Sequence, residues 1–537
     1  MFKSLTMLDF FIILIYFGLL LTVGFYYSRK EKNSSEYFLA GRNVGWVAIG
    51  SSMFAANISS EHFIGLAGAG ASRGITAGNF ELLACFMVLL LGWVFAPLYL
   101  KMGVFTLPEF LEKRYNRSCR VYLTSVSLIA YVFTKISVTI LAGGFLLYET
   151  LGWDIATSAV VIVVIAGIYS IAGGLNAIVR VDILQTIVLI AGATILTLFG
   201  LHEIGGFAAL RAAVPMGHFE LFKPFSDPDF PWTGIVLGAP ILGIWYWCTD
   251  QYIVQRILGA KNIMQARSGA IFAGFLKLLP LFILILPGII ALALYGNGNL
   301  GDRAFPLLVA GNLLPAGIKG IVIASLLAAL ISSLASVFNS SSTLFTMDFY
   351  RNLRKKAKDD ELVLVGRLST TVLVITAILA IPFIKFISTN MYVYLQSMQA
   401  YISPPIAAVF IWGIIWKKGT GKAAIITLVT GGIIGGIRLI VELLKKTGHT
   451  IWEPLHSLIM INFLHFAVIL FVFSSGILII TSFMSTESFQ KKYSQILASQ
   501  EKDKKLIGTG FSVSKRLNVV LSTLLVCIVV SLYVYFF

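Results

Sequence analysis

From end to end the chain alternates long apolar stretches with short polar ones. The apolar stretches are about 20 residues long, enough for a helix rising 1.5 Å per residue to cross a ~30 Å hydrocarbon core. Fourteen spans are expected, at 8–28, 45–71, 78–100, 120–147, 156–172, 183–202, 233–255, 268–296, 317–346, 365–387, 393–416, 423–444, 455–483 and 517–537. The intervals between them leave no room for a soluble domain. Segment 106–118, "TLPEFLEKRYNRS", predicts a short connecting helix lying on the headgroups, with Pro108 near its start. The first span is followed by "SRK" and lacks a small-residue cleavage site, so it is expected to be a retained helix.

The layout of the spans repeats. Spans two to six cover 45–202 and spans seven to eleven cover 233–416, and each group opens on an interrupted span: "SSMFAANISSEHF" in the first, "LGIWYWCTDQY" in the second. Five is an odd number, so the second group enters the membrane from the opposite side. Paired interrupted helices at matching positions of inverted halves point to a transporter binding site. The expected organisation is an extra helix and inner loop (1–44), a first repeat (45–202), an outside loop (203–232), a second repeat (233–416) and extra C-terminal helices (417–537).

The polar positions inside spans carry the candidate chemistry. Asn57 lies roughly 18 Å into its span, near the bilayer midplane. Irregular backbone at that depth is tolerated only against protein or a water-filled cavity, where freed carbonyls can bind a hard cation. The alternative for Asn57 and Ser59 is hydrogen bonding between neighbouring helices. In "ALISSLASVFNSSSTLFTMD" (329–348), Ser332 and Ser333 offer adjacent hydroxyls suited to Na⁺, although small residues also serve close packing. Glu81 and Lys277 are the ionisable groups most clearly inside spans. They are expected either to grip vicinal hydroxyls of a polyol or to form a structural ion pair. "WYWCTDQ" (245–251) sits too deep for an interfacial belt, so Tyr246 and Trp247 read as a stacking platform and gate. Gln396 adds a midspan amide. Asp182 falls at the inner end of its span, where water would solvate it, and receives no role.

Composition agrees with this picture. The chain is 58% hydrophobic and 12% charged, far from the balance of a soluble domain. Its net charge of +16 is distributed by side: with the N-terminus outside, most of the 41 Lys and Arg fall in inside loops, richest at "RNLRKKAK" (351–358) and at 491–516. That asymmetry places both termini outside. It makes anionic lipid of the bilayer, and no nucleic acid, the partner of the basic excess. The four cysteines (Cys85, Cys119, Cys248, Cys527) have no paired spacing, which speaks against a disulfide framework or a zinc site. No nucleophile elbow, HExxH, Walker loop or dinucleotide fingerprint is present, so an enzyme is not expected.

Several segments, in order, resemble one family: "YFLAGR", "AANISSEHFIG", "YSIAGGLNA", "YWCTDQYIVQR", "FLKLLP", "SSLASVFNSSSTLFTMDFY" and "SPPIAAVFIWGIIWKK". The chain resembles the sodium/solute symporters of the sodium/glucose cotransporter branch, most of all its bacterial sodium/sugar members. The resemblance implies an all-α LeuT-type fold of fourteen helices with two inverted five-helix repeats. It implies a sodium site on the carbonyls of Ala55, Ile58 and Ala329 and the hydroxyls of Ser332 and Ser333. It implies a sugar site on Asn57, His62, Glu81, Trp247, Lys277 and Gln396, an inner gate at Tyr246, and an outer gate at Leu66, Phe80 and Tyr392.

The chain departs from the family pattern in places. Gly243 stands where relatives place Asn or Thr against a sugar hydroxyl, and Ala335 replaces a Thr used by two-sodium members, favouring one sodium per sugar. His62 and Phe80 follow the animal glucose carriers, where a bacterial galactose carrier has Gln and Tyr. The long cysteine-bearing outside loop of animal members is missing, which favours a bacterial origin and a location in the inner membrane. The expected function is sodium-driven symport of a neutral hexose-like sugar. The alternatives are symport of another solute such as inositol, or a sugar-responsive sensor or channel that accumulates nothing.

Overall fold

The computed structural model describes residues 5–28, 33–59, 61–296, 300–311, 313–381, 391–485 and 511–537, with backbone alone at 380 and 511–514. Ser60, the end of the span expected at 365–387 and most of the basic segment 491–516 lie outside them. The described chain is helical almost throughout, as lipid demands of a backbone that must satisfy its own hydrogen bonds. Eleven helices among the described residues are long and apolar enough to cross a membrane.

One of those helices is long because it contains two expected spans. Ile155–Ile204 is continuous except at Gly174, where φ 40° and ψ −168° lie outside helical space. The chain reverses there. Ile162 and Ser170 lie against Leu330 and Ala335, whereas Asp182 and Gln185 lie against Ser332 and Ala328. The first half therefore runs parallel to helix Ile318–Leu344 and the second half antiparallel to it. Glycine is what permits the positive φ at the turn.

Ile318–Leu344 is the axis of the molecule, buried along nearly its whole length. It packs against both halves of Ile155–Ile204 and against Met7–Ser28. Its first turn is tied to the N-terminal helix by Asp9, whose Oδ1 accepts from the N–H groups of Gly317 (2.8 Å) and Gly320 (2.7 Å). Helix Met391–Ile415 packs on Gly421–Lys446 and Phe463–Met484, with Pro404 and Pro405 inside it.

Both interrupted spans are broken helices. In the first, Trp46–Asn57 ends at Ile58 (φ −75°, ψ 104°), and the chain resumes as a wide turn of π-helix at Glu61–Leu66. In the second, a π-helical turn Ile244–Thr249 comes first, Asp250 is extended (φ −84°, ψ 126°), and the α-helix Gln251–Leu258 follows. The interruption expected within 233–255 falls at Asp250. The cause is local: the Asp250 side chain accepts from Tyr252 N at 3.2 Å and caps a new helix. Segment 106–118 does contain a helix, Leu107–Arg114, but it buries Leu107, Phe110, Leu111 and Arg114 rather than resting on a surface. Arg114 spends its guanidinium on the carbonyls of Gly413, Trp416 and Gly419.

Candidate solute cavity and ion site

The two breaks face each other, and a cavity lies beside them. It is lined by Asn57, Glu61, His62, Phe80, Glu81, Lys135, Gly243, Tyr246, Trp247, Lys277, Tyr392 and Gln396, among others. Its volume is about 50 Å³. Polar groups bond to one another across it. Lys277 Nζ donates to Glu81 Oε2 and to Asn57 Oδ1 (2.7 Å), and Asn57 Nδ2 donates to Tyr246 Oη (2.9 Å). A chain of four side chains therefore joins the Asn79–Leu90 helix, the Ile263–Leu276 helix and both breaks. Lys277 Nζ also lies 5.5 Å from the Trp247 ring centroid, within reach of a cation–π contact.

All the residues expected to bind sugar line this one cavity: Asn57, His62, Glu81, Trp247, Lys277 and Gln396. So does Tyr246, whose ring stands edge-on to Trp247. Of the expected outer gate, Phe80 and Tyr392 meet edge to face with centroids 5.9 Å apart and line the cavity's far wall. Leu66 is buried outside the lining. Its neighbour Gly65 faces the Tyr392 backbone, where an added Cβ would come within 3.0 Å of Tyr392 N. At Gly243 a Cβ would meet Met87 Cγ at 2.8 Å, so the methionine takes the volume that a longer side chain there would need.

The residues expected to hold sodium come together in part. Ala55, Ile58, Ala329, Ser332 and Ser333 are all buried, where the break meets helix Ile318–Leu344. Ser333 Oγ donates to the carbonyl of Ala56 at 3.2 Å, and Tyr252 Oη donates to the same oxygen. Ser332 Oγ turns instead to Asp182 Oδ1, at 2.6 Å. These are oxygen donors of the kind a hard cation takes. The helix end at Asn57 frees last-turn carbonyls for such use.

Asp182, expected at a solvated span end, lies inside the protein instead. It is fully buried, held by Ser52 and Ser332, with the Arg256 guanidinium bonding Ser52, Ser336 and the Tyr252 carbonyl beside it. Ser52, Ser332 and Arg256 cover the inner end of its span, and hydropathy does not report what packs over a span end. Glu61 and Lys135 were given no role. Lys135 Nζ donates to Glu61 Oε1 at 2.7 Å and sits 4.7 Å from the Tyr246 ring centroid. A lysine in the middle of a span was the signal available.

Asp302, between the spans, is a further buried carboxyl. Its Oδ2 accepts from Met391 N at 3.0 Å, at the start of the helix that carries Tyr392. Burial pushes its pKa from 3.8 up to about 7, while the Met391 bond pulls it back. Between those values the folded protein holds a proton that the unfolded chain has lost, so stability falls as pH rises from about 4 to about 7. Asp302→Asn keeps an acceptor for Met391 and removes the charge. It should raise the melting temperature of the purified protein at pH 8, with the gain shrinking towards pH 4. A gain equal at both pH values would refute the buried charge as its cause.

Three comparisons bear on this geometry. Residues 37–431 match the model described as the sodium:solute symporter family. The chain is 40% identical over 520 residues to sodium/glucose cotransporter 1 of Oryctolagus cuniculus, covering 88% of this chain and 78% of that one. It is 38% identical over 479 residues to the sodium/myo-inositol cotransporter of Homo sapiens, covering 80% and 67%. Among solved structures, a Na⁺-coupled sialic acid symporter in a substrate-bound outward-open state superposes with a TM-score of 0.76. It is 21% identical over 90% of this chain and 98% of that one, so it shares the fold.

Proposed function

Since the chain belongs to the sodium:solute symporter family, we propose that it imports a neutral hexose-like sugar by sodium-driven symport. The observation that carries this reading is the cavity wall, where two carboxylates and two ammonium groups balance one another beside Asn57, Gln396 and a Trp–Tyr platform. A balanced wall suits an uncharged ligand that both donates and accepts, and indole supplies a flat apolar face for one side of a sugar ring. The substrates named for the vertebrate relatives agree with it.

In this reading Asn57, His62, Glu81, Trp247, Lys277 and Gln396 hold the solute, Tyr246 closes the inward path, and Leu66, Phe80 and Tyr392 close the outward one. Sodium sits on Ala55, Ile58, Ala329, Ser332 and Ser333. Bound there, it holds the break at 57–61 against Ile318–Leu344 and favours the outward-open state. Coupling then arises from sodium's differential affinity for two conformations. The topology has fourteen crossings, with inverted repeats at 45–202 and 233–416 flanked by 1–44, 203–232 and 417–537. Both termini lie outside a bacterial inner membrane, with basic loops on its anionic inner face. One charge moving through ~100 mV supplies ~2.3 kcal/mol. With a tenfold sodium gradient, one-to-one coupling sustains a sugar gradient of roughly 500-fold.

A second reading, symport of a cyclic polyol such as inositol, is favoured by the 38% identity to the sodium/myo-inositol cotransporter. Tracer uptake into proteoliposomes separates the two. A panel of labelled hexoses, inositol and proline is offered with an inward Na⁺ gradient, or with K⁺ in its place. Accumulation above equilibrium only with Na⁺ is expected, for a hexose. Sodium-dependent binding without accumulation would replace symport with a sensor.

A further inference from the structure

Glu61 is almost wholly buried and lines the same cavity as Glu81. Its two oxygens differ. Oε1 accepts from Lys135 Nζ at 2.7 Å and lies 3.7 Å from His62 Nδ1. Oε2 is buried with no hydrogen-bond partner among the described residues. An ionised carboxylate has about four acceptor positions, and a buried one left unfilled is costly. Neutralising Lys135 accounts for Oε1 alone. The second oxygen calls for a donor that the wall does not supply.

His62 fixes where that donor comes from. Its Nδ1 faces Glu61 and its Nε2 lies 3.6 Å from Glu81 Oε1, so the two carboxylates sit at opposite edges of one imidazole. Each is matched by its own lysine, Lys135 or Lys277. A cationic donor at Oε2 would upset that balance, whereas a hydroxyl would not. We propose that Glu61 is a second substrate-binding carboxylate, which accepts a hydroxyl of the solute through Oε2 while Oε1 stays on Lys135. The site then reads hydroxyls at two separated edges of a neutral cyclic polyol, Glu81 taking one edge and Glu61 the other. This inference deepens the symport reading and rests on it.

The test compares wild type, Glu61→Asp and Glu61→Gln in proteoliposomes. The substrates are the best-transported sugar and its monodeoxy analogues, each offered over a range of concentrations under a Na⁺ gradient. Glu61→Asp keeps the charge that Lys135 needs and withdraws the oxygens by one methylene, so it guards against a variant that fails to fold. One deoxy analogue should lose affinity by about 10-fold or more in wild type, as expected for a hydrogen bond to a charged group. For that analogue alone, wild type and variants should converge. Variants that weaken every sugar by the same factor would overturn the proposal, as would a Glu61→Asp protein with wild-type affinities throughout. If wild type accumulates no sugar or polyol at all, the symport reading itself fails and takes this one with it, a result distinguishable from either.

Discussion

Ser333→Ala should weaken sodium activation of uptake by roughly 10- to 100-fold while leaving the amount of folded protein near normal. The hydroxyl lost is the one that reaches from helix Ile318–Leu344 to the broken end of Trp46–Asn57, at 3.2 Å from the Ala56 carbonyl. Its contribution to the fold is small, because one neutral hydrogen bond is worth only about 0.5–1.5 kcal/mol and Tyr252 still bonds the same carbonyl. Its contribution to ion binding is larger, since a contact with a full charge is worth about 1.5–3 kcal/mol. Ser333 is the cleaner choice of the pair. Ser332 donates to buried Asp182, and removing it would leave a carboxylate short of a partner as well as a sodium site short of a ligand. The measurement is initial uptake against Na⁺ concentration at fixed sugar. An unchanged sodium half-saturation would remove Ser333 from the ion site and the proposed coupling with it.

The residues of this site were legible in sequence to an uneven degree, and the unevenness has physical causes. A polar side chain at bilayer depth is costly enough to be conspicuous, so Asn57, Glu81 and Lys277 stand out against apolar neighbours, and all three line one cavity. Which charge meets which is not periodic, and pairing across elements such as Lys135 with Glu61 is invisible to hydropathy. Span ends mislead in the same way. Asp182 reads as a boundary residue, yet Ser52 and Ser332 from other helices cover that span end and bury it. Breaks are legible where a capping side chain marks them. Asp250 does so, whereas the end at Ile58 announces itself only through the polar run after it.

Glu81→Gln should act on the solute and spare the ion. Gln keeps the length of the side chain and a carbonyl acceptor, so Lys277 retains a neutral partner there and keeps Asn57 Oδ1 at 2.7 Å. What disappears is the negative charge that faces the cavity. If a sugar hydroxyl donates to it, apparent sugar affinity should fall by about 10- to 100-fold, the equivalent of 1.5–3 kcal/mol. Sodium binding measured without sugar should stay as it was, since Ala55, Ile58, Ala329, Ser332 and Ser333 lie outside the cavity lining. Linkage sharpens the comparison with Ser333→Ala. The factor by which sodium tightens sugar binding must equal the factor by which sugar tightens sodium binding. In Glu81→Gln that factor should survive while the sugar constant drops. In Ser333→Ala the sodium constant should drop, and the coupling factor with it if the Ser333 contact is what transmits the ion's effect to the break. Loss of the coupling factor in Glu81→Gln instead would place the link between ion and solute in the chain Glu81–Lys277–Asn57–Tyr246, which joins the sugar wall to the gate.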